Sequence, residues 1–214
     1  MPFRNRIQAA QLLAERLLEY RGQSPVVLAI PRSAVPMGEI ISEALGGELD
    51  VVLVQRLRAP GRAKVAIGAV DETGYTYLDE QVPRQGISET YIAAETQAAL
   101  ALLRSHRALY TPGRPPIDPA GRIVIIVHHC LLSGGSLMAA LRAVRARHPA
   151  RLIAAAAVGS PLTLTQLVAD EAICLEVPAF FYAVEVFFKD FSQVSDAEVV
   201  SILRRSHHRA APAA

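Results

Sequence analysis

What the chain lacks narrows its class before any motif is read. It has only two cysteines, Cys130 and Cys174, in strand-like contexts and without CxxC spacing, which excludes a disulfide-rich secreted scaffold and fits a reducing cytosol. The N-terminal MPFRNRIQAAQLL has no apolar signal core. The longest hydrophobic stretches, 152–158 and 177–188, are too short or too interrupted to span a bilayer, so no membrane role is expected. Charge of one sign is missing too: 22 basic against 20 acidic residues leave a formal +2. The arginines are scattered rather than striped along one element, so nucleic acid is not an expected partner. The one basic run, Arg204, Arg205, His207, His208 and Arg209, adjoins Ala-Ala-Pro-Ala-Ala, and 207–214 reads as a disordered solvated tail. No repeat or linker interrupts the rest, which makes 1–206 a single domain.

What is present is a soluble globular composition, half hydrophobic and one fifth charged. Ile7, Ala10, Leu13, Ala14, Leu17 and Leu18 recur at helical spacing after Asn5, a candidate cap. VVLAI (26–30) reads as a strand covered on both faces, followed by the turn Pro31 to Ala34 and a helix ending at Gly46-Gly47. DVVLV (50–54) reads as a second strand, and QRLRAPGRAKVA (55–66) as a long unpatterned loop. AIGAV then leads to a hairpin near Thr73-Gly74. A long helix over 87–107 comes next, followed by a Pro-rich connector at 112–119, a strand from Ile123, a helix over 136–147, the strands LIAAAAV and AICLEV, and an aromatic C-terminal segment. Strands alternating with helices predict an α/β fold with a parallel sheet flanked by helices, and a small hood from the terminal segments.

IVIIVHHCLLSGGSLM (123–138) carries the chemistry. A buried strand entering a small-residue turn and then a helix aims backbone N–H groups and the positive end of a helix dipole at one point, a site for an anion. Ser133, Gly134, Gly135 and Ser136 supply two hydroxyls and two residues without a Cβ, and Ser136 is placed to cap the helix. The sequence is neither a Walker loop nor a GxGxxG fingerprint, and a ligand-free capped turn would look the same.

The segment GRIVIIVHHCLLSGGSLMAALRAVR resembles the ribose-phosphate signature of type I phosphoribosyltransferases, an apolar strand ending in two acidic residues before a phosphate loop and helix. FRNRIQAAQLLAERL, VVLAIPRSAVPMGEIISEALGGELDVVLVQRL, APGRAKVAIGAV and FKDFSQVSDAEV resemble, in the same order, a bacterial branch of that superfamily. The resemblance implies a type I phosphoribosyltransferase-like fold and a phosphorylated ribose or nucleotide ligand, with phosphoribosyl pyrophosphate as donor and magnesium if the protein is active. It implies a 5′-phosphate on Ser133 to Ser136, a pyrophosphate-side loop at Arg32, Ser33 and Ala34, and a mobile loop with Arg56, Arg58, Arg62 and Lys64 that closes over the site. Members of this type are frequently dimers, and the segment Phe180, Phe181, Tyr182, Phe187 and Phe188 fits either a hood or a homodimer face.

His128 and His129 stand where the family carries its acidic pair. Carboxylates there fix the ribose hydroxyls, stabilise an oxocarbenium-like state and suit magnesium, whereas imidazole carries no negative charge. Losing an oriented electrostatic group costs on the order of 100- to 1000-fold in rate. Cys130 and the pair Ser33 and Ala34 replace glycines usual in the branch. Three readings stand: a weak or non-catalytic binder or regulatory protein, an active transferase acting on an unidentified acceptor, and a transition-metal site at His128, His129 and Cys130. Against the last, consecutive strand residues alternate in direction and are not expected to converge. Asp190, Ser195, Asp196 and Glu198 read as turn and capping residues, and His106 and His148 as helix-end residues.

Overall fold

A computed structural model describes residues 3–79, 82, 86–131, 135–179 and 183–210. Helix α1 (Arg6–Arg16) starts at Asn5, whose side chain accepts from the Gln8 N–H at 3.1 Å, as its position in the sequence predicts. Strand β1 (Val26–Ala29) is fully buried and leads through residues 31–34 into α2 (Val35–Leu45). That helix closes on Gly46 at φ 67°, a left-handed position that glycine takes without strain. Then come β2 (Glu48–Val51), β3 (Val54–Ala59), β4 (Arg62–Asp71), β5 (Thr76–Leu78) and α3 (Glu89–Tyr110). The second half is β6 (Ile123–Leu131), α4 (Gly135–Arg145), β7 (Arg151–Gly159), the short α5 (Pro161–Leu164), β8 (Glu171–Glu176) and α6 (Asp196–Ala210).

Five strands form an all-parallel sheet in the order β2-β1-β6-β7-β8. Its two faces follow from strict alternation. Val27, Ala29, Ile125, Val127, Ile153 and Ala155 face a core shared with α1, α2, α3 and α6, while Val26, Leu28, Val124, Ile126, Leu152 and Ala154 face α4. Both sides are covered, which is why these strands read as continuous apolar runs. Phe3 bridges to Phe188 and their rings lie 5.4 Å apart, so the terminal segments meet each other and bury Phe188 inside the molecule rather than on a dimer face. Phe180 to Tyr182 lie outside the described residues.

Three expectations are corrected. DVVLV is not one strand: β2 ends at Val51, the Val52 N–H still donates to the Ala29 carbonyl, and the chain then leaves the parallel sheet to begin β3 at Val54. Two sheets bury successive halves of one apolar run, so hydropathy alone could not divide it. The expected loop over 55–66 is a β3–β4 hairpin in a separate antiparallel sheet, β3-β4-β5, packed between α3 and α4. Its alternation is real but short: Leu57 and Ala59 are buried, Arg56 and Arg58 exposed. Within the expected tail, residues 207–210 belong to α6, held by Arg205 and Arg209 against Glu39 of α2. The hairpin near Thr73-Gly74 is present, closed by the Gly74 N–H donating to the Asp71 carbonyl. Among the described residues no helix is long and apolar enough to cross a membrane.

Candidate functional site at the switch point of the parallel sheet

The chain runs outward from β1 to β2 on one side of the sheet and from β6 to β7 and β8 on the other. Helix α2, which follows β1, and α4, which follows β6, therefore cover opposite faces. The carboxyl ends of adjacent β1 and β6 thus flank a crevice, the place where open parallel sheets bind ligands. A cavity of about 380 Å³ lies there, lined by Ile30, Pro31, Arg32, Val52 to Gln55, Leu103, His106, Tyr110, Ser136 and Asp196.

Arg32 and Ser136, 104 positions apart in sequence, come together in this cavity. The Pro31–Arg32 peptide is cis. Ala34, fully buried, holds the N-cap position of α2 but has no side chain to cap it. Ser33 is half-buried, and neither Ser33 nor Ala34 lines the cavity.

Helix α4 begins at Gly135, which puts Ser136 one residue inside the helix rather than at the expected cap. Ser133 and Gly134, the other half of the expected phosphate turn, lie outside the described residues. A Cβ on Gly135 would stand 3.3 Å from Cδ and 3.4 Å from Nη1 of Arg56, so the Arg56 side chain lies across the N-terminus of α4. Gly135 and Arg56 open on a second cavity of about 380 Å³, so the end of α4 separates two pockets. Arg58 lines neither cavity; its backbone N–H donates to the Glu95 side chain and its backbone carbonyl accepts from the Tyr91 hydroxyl, both on α3. Arg62 is exposed and lines neither cavity, and the Lys64 side chain lies outside the described residues.

Sequence reasoning missed Asp196, Tyr110 and His106 as cavity residues. Tyr110 donates its hydroxyl to Asp196 Oδ1 at 2.6 Å, and Asp196 lies 3.8 Å from the Arg32 guanidinium. His106 stacks on Tyr110 with centroids 5.7 Å apart, an i, i+4 pair on one face of α3. That spacing was the available signal. Ser195 does cap α6, accepting from the Glu198 N–H at 3.2 Å, but Asp196 beside it faces the site.

Burial, reinforced by the Asp196 carboxylate, raises the Tyr110 phenol above its ordinary value of 10. A group raised on folding keeps its proton when the unfolded chain loses it, so its contribution holds below pH 10 and drains away above it. Stability should therefore fall above pH 10 by up to about 1.4 kcal/mol per pH unit for this residue. Tyr110→Phe should flatten the alkaline limb by that amount, checked by urea unfolding at pH 9 to about 11; an unchanged slope would refute it.

His128, His129 and Cys130 close strand β6. Contrary to alternation, one donor atom from each lies within 4.8 Å of the others, and the imidazole centroids are 4.5 Å apart. His128 and Cys130, two residues apart in β6, share one face of the strand, and the His129 ring turns to lie tilted against that of His128. His128 Nδ1 lies on the Cys130 carbonyl oxygen, and His129 stacks on Phe191, which Arg6 caps at 4.0 Å. Burial lowers the His128 pKa; burial, then the neighbouring His128 and Arg6, lowers His129 to about 3. Both rings are neutral at pH 7. Neither ring, nor Cys130, is among the residues that line the crevice cavity, and the pair carries none of the negative charge that an acidic pair would supply.

The chain matches the phosphoribosyl transferase domain family over residues 4–194 and belongs to it. Its five-stranded parallel sheet with helices on both faces is the type I phosphoribosyltransferase fold. Two Mycobacterium tuberculosis proteins, each named "Putative phosphoribosyl transferase", are 33% identical over 208 residues, 96% of this chain and 47% of theirs. The chain thus spans about half the length of these curated relatives. The crystal structure of TT1426 from Thermus thermophilus is 37% identical with a TM-score of 0.86, covering 96% of this chain and 99% of that one.

Proposed function

We propose that the chain binds a phosphorylated ribose or nucleotide in the crevice between β1 and β6, with little or no phosphoribosyl transfer. The carrying observation is the single cavity shared by Arg32 and Ser136 at the sheet's switch point. The 5′-phosphate would sit on the N–H groups opening α4, where the helix dipole favours an anion and Arg56 adds a cation from the hairpin. Arg32 would meet a second anionic group on the β1 side. The hairpin, ordered against α3, would act as the cover expected of the 56–66 segment.

The end of β6 argues against efficient transfer. It offers nitrogen and sulfur, whereas magnesium is a hard cation held by oxygen, so these residues do not fit it. Neutral imidazoles can hydrogen-bond ribose hydroxyls but do not stabilise a developing oxocarbenium charge. The competing reading, an active transferase, rests on the family itself.

Calorimetric titration separates the two. Ribose 5-phosphate and a nucleoside 5′-monophosphate should bind without metal, and Arg56→Ala should weaken them roughly 10- to 100-fold, the value of one charge-assisted hydrogen bond. Binding of phosphoribosyl pyrophosphate only with magnesium would favour the transferase, and no binding of any of the three would remove the proposal.

A further inference from the structure

The geometry points to a transition-metal site at the end of β6, with His128, His129 and Cys130 as ligands and a borderline divalent cation of the zinc class as the ion. The inference rests on these three residues and is independent of the phosphate reading.

Two imidazoles and one thiol present donor atoms that all lie within 4.8 Å of one another. Tetrahedral coordination at about 2.0–2.3 Å per bond places ligand atoms somewhat closer than that, within reach of small side-chain rotations. His128 Nδ1 lies on the Cys130 carbonyl oxygen and 3.4 Å from the Cys130 N–H, and the tautomer protonated at Nδ1 donates to that carbonyl. The lone pair is then on Nε2. A backbone carbonyl accepting from Nδ1–H is a usual outer support of a histidine that binds metal through Nε2. His129 adds an independent observation: its Nδ1 is buried and has no hydrogen-bond partner among the described residues. A buried acceptor or donor left unpaired is costly, and a metal ion is one partner that removes the cost.

The donor set selects the ion. Nitrogen and thiolate ligands without a carboxylate favour zinc-class and softer ions over magnesium or calcium. On binding, Cys130 would release its thiol proton to solvent and ligate as thiolate. Three protein ligands leave a fourth position to water or another small donor, the open pattern of reactive rather than closed structural sites.

Cobalt(II) titration of the chelator-stripped protein, without a histidine tag, tests this. The expected result is one equivalent bound with a thiolate-to-cobalt charge-transfer band and intense tetrahedral visible bands, displaced by zinc. Cys130→Ser should abolish the charge-transfer band. His129→Ala should weaken binding by more than the roughly 10- to 100-fold typical of losing an outer-shell partner. Cys174→Ser and the double variant His207→Ala/His208→Ala should leave both unchanged, since neither belongs to the cluster. Zinc should also shield Cys130, but not Cys174, from alkylation in the unsubstituted protein, read by mass spectrometry, which keeps the test valid if a variant misfolds. A spectrum without thiolate character, binding that survives Cys130→Ser, or alkylation of Cys130 indifferent to zinc would each overturn the site.

Discussion

Replacing Arg107 with alanine should destabilise the protein by about 3–5 kcal/mol, the usual consequence of removing one partner from a buried ion pair. Arg107, on α3, has only 12% of its side chain exposed. Its guanidinium donates to both Glu72 oxygens at 2.7 and 2.5 Å, to Asp50 Oδ1 at 2.8 Å and to the Val51 carbonyl at 3.0 Å. Asp50 is 1% exposed and belongs to the parallel sheet, while Glu72 follows β4 of the antiparallel sheet. One side chain therefore ties α3 to both sheets. Without it, two shielded carboxylates are left near each other with no cation between them. Among the described residues Asp50 keeps only the Val51 and Ile117 N–H groups, which cannot neutralise it.

Urea unfolding would read the loss, and thermal unfolding should show roughly 2–4 °C per kcal/mol for a chain of this size. The triple variant Arg107→Met/Asp50→Leu/Glu72→Gln should recover much of the deficit, because the cost lies in the stranded charges rather than in the pair's net worth. A single-variant loss below about 1 kcal/mol would mean that water reaches the carboxylates, and would refute the network's role.

The second large effect concerns His128 and His129. Restoring carboxylates there with His128→Asp/His129→Asp should raise magnesium-dependent pyrophosphate release from phosphoribosyl pyrophosphate, tested over a panel of acceptor bases. An increase on the order of 100-fold or more over the unsubstituted chain is expected, the scale on which one oriented electrostatic group acts. The physical reason is that imidazole is cationic or neutral but not anionic at any accessible pH, and burial keeps both rings neutral, so the site lacks the negative charge that carboxylates supply. The variant carries a stability cost, since carboxylates enter a partly buried position beside Phe191. Circular dichroism and unfolding must therefore accompany the assay. A folded variant with no gain would show that the pair is not what limits transfer, and would return attention to Ser33 and Ala34 on the β1 side.

Much of the architecture was legible because its signals are local. Continuous apolar runs at 26–29 and 123–127 are what a strand buried on both faces requires, and Asn5, Gly46 and Ser195 punctuate helices through hydrogen bonds or backbone angles that reach only a few residues. The strand–small turn–helix at 123–138 marked one end of the site for the same reason, and its likeness to a family named the chemistry to look for.

Other features depended on the tertiary structure. Asp196 looked like a capping neighbour and His106 like a helix-end residue, because nothing local says that α6 and α3 meet over the end of β1. Arg56 read as a loop cation until the hairpin laid it across α4. The division of DVVLV between two sheets turns on which partner strand each half meets, a choice hydropathy does not encode. The clustering of His128, His129 and Cys130 broke the alternation rule, because that rule describes Cβ directions along a strand, not where long side chains turn beyond Cβ. By itself the sequence determined the fold class and the order of most elements, both set by period and nearest-neighbour chemistry. Which distant residues share the crevice, and what donors they place there, was decided by long-range packing.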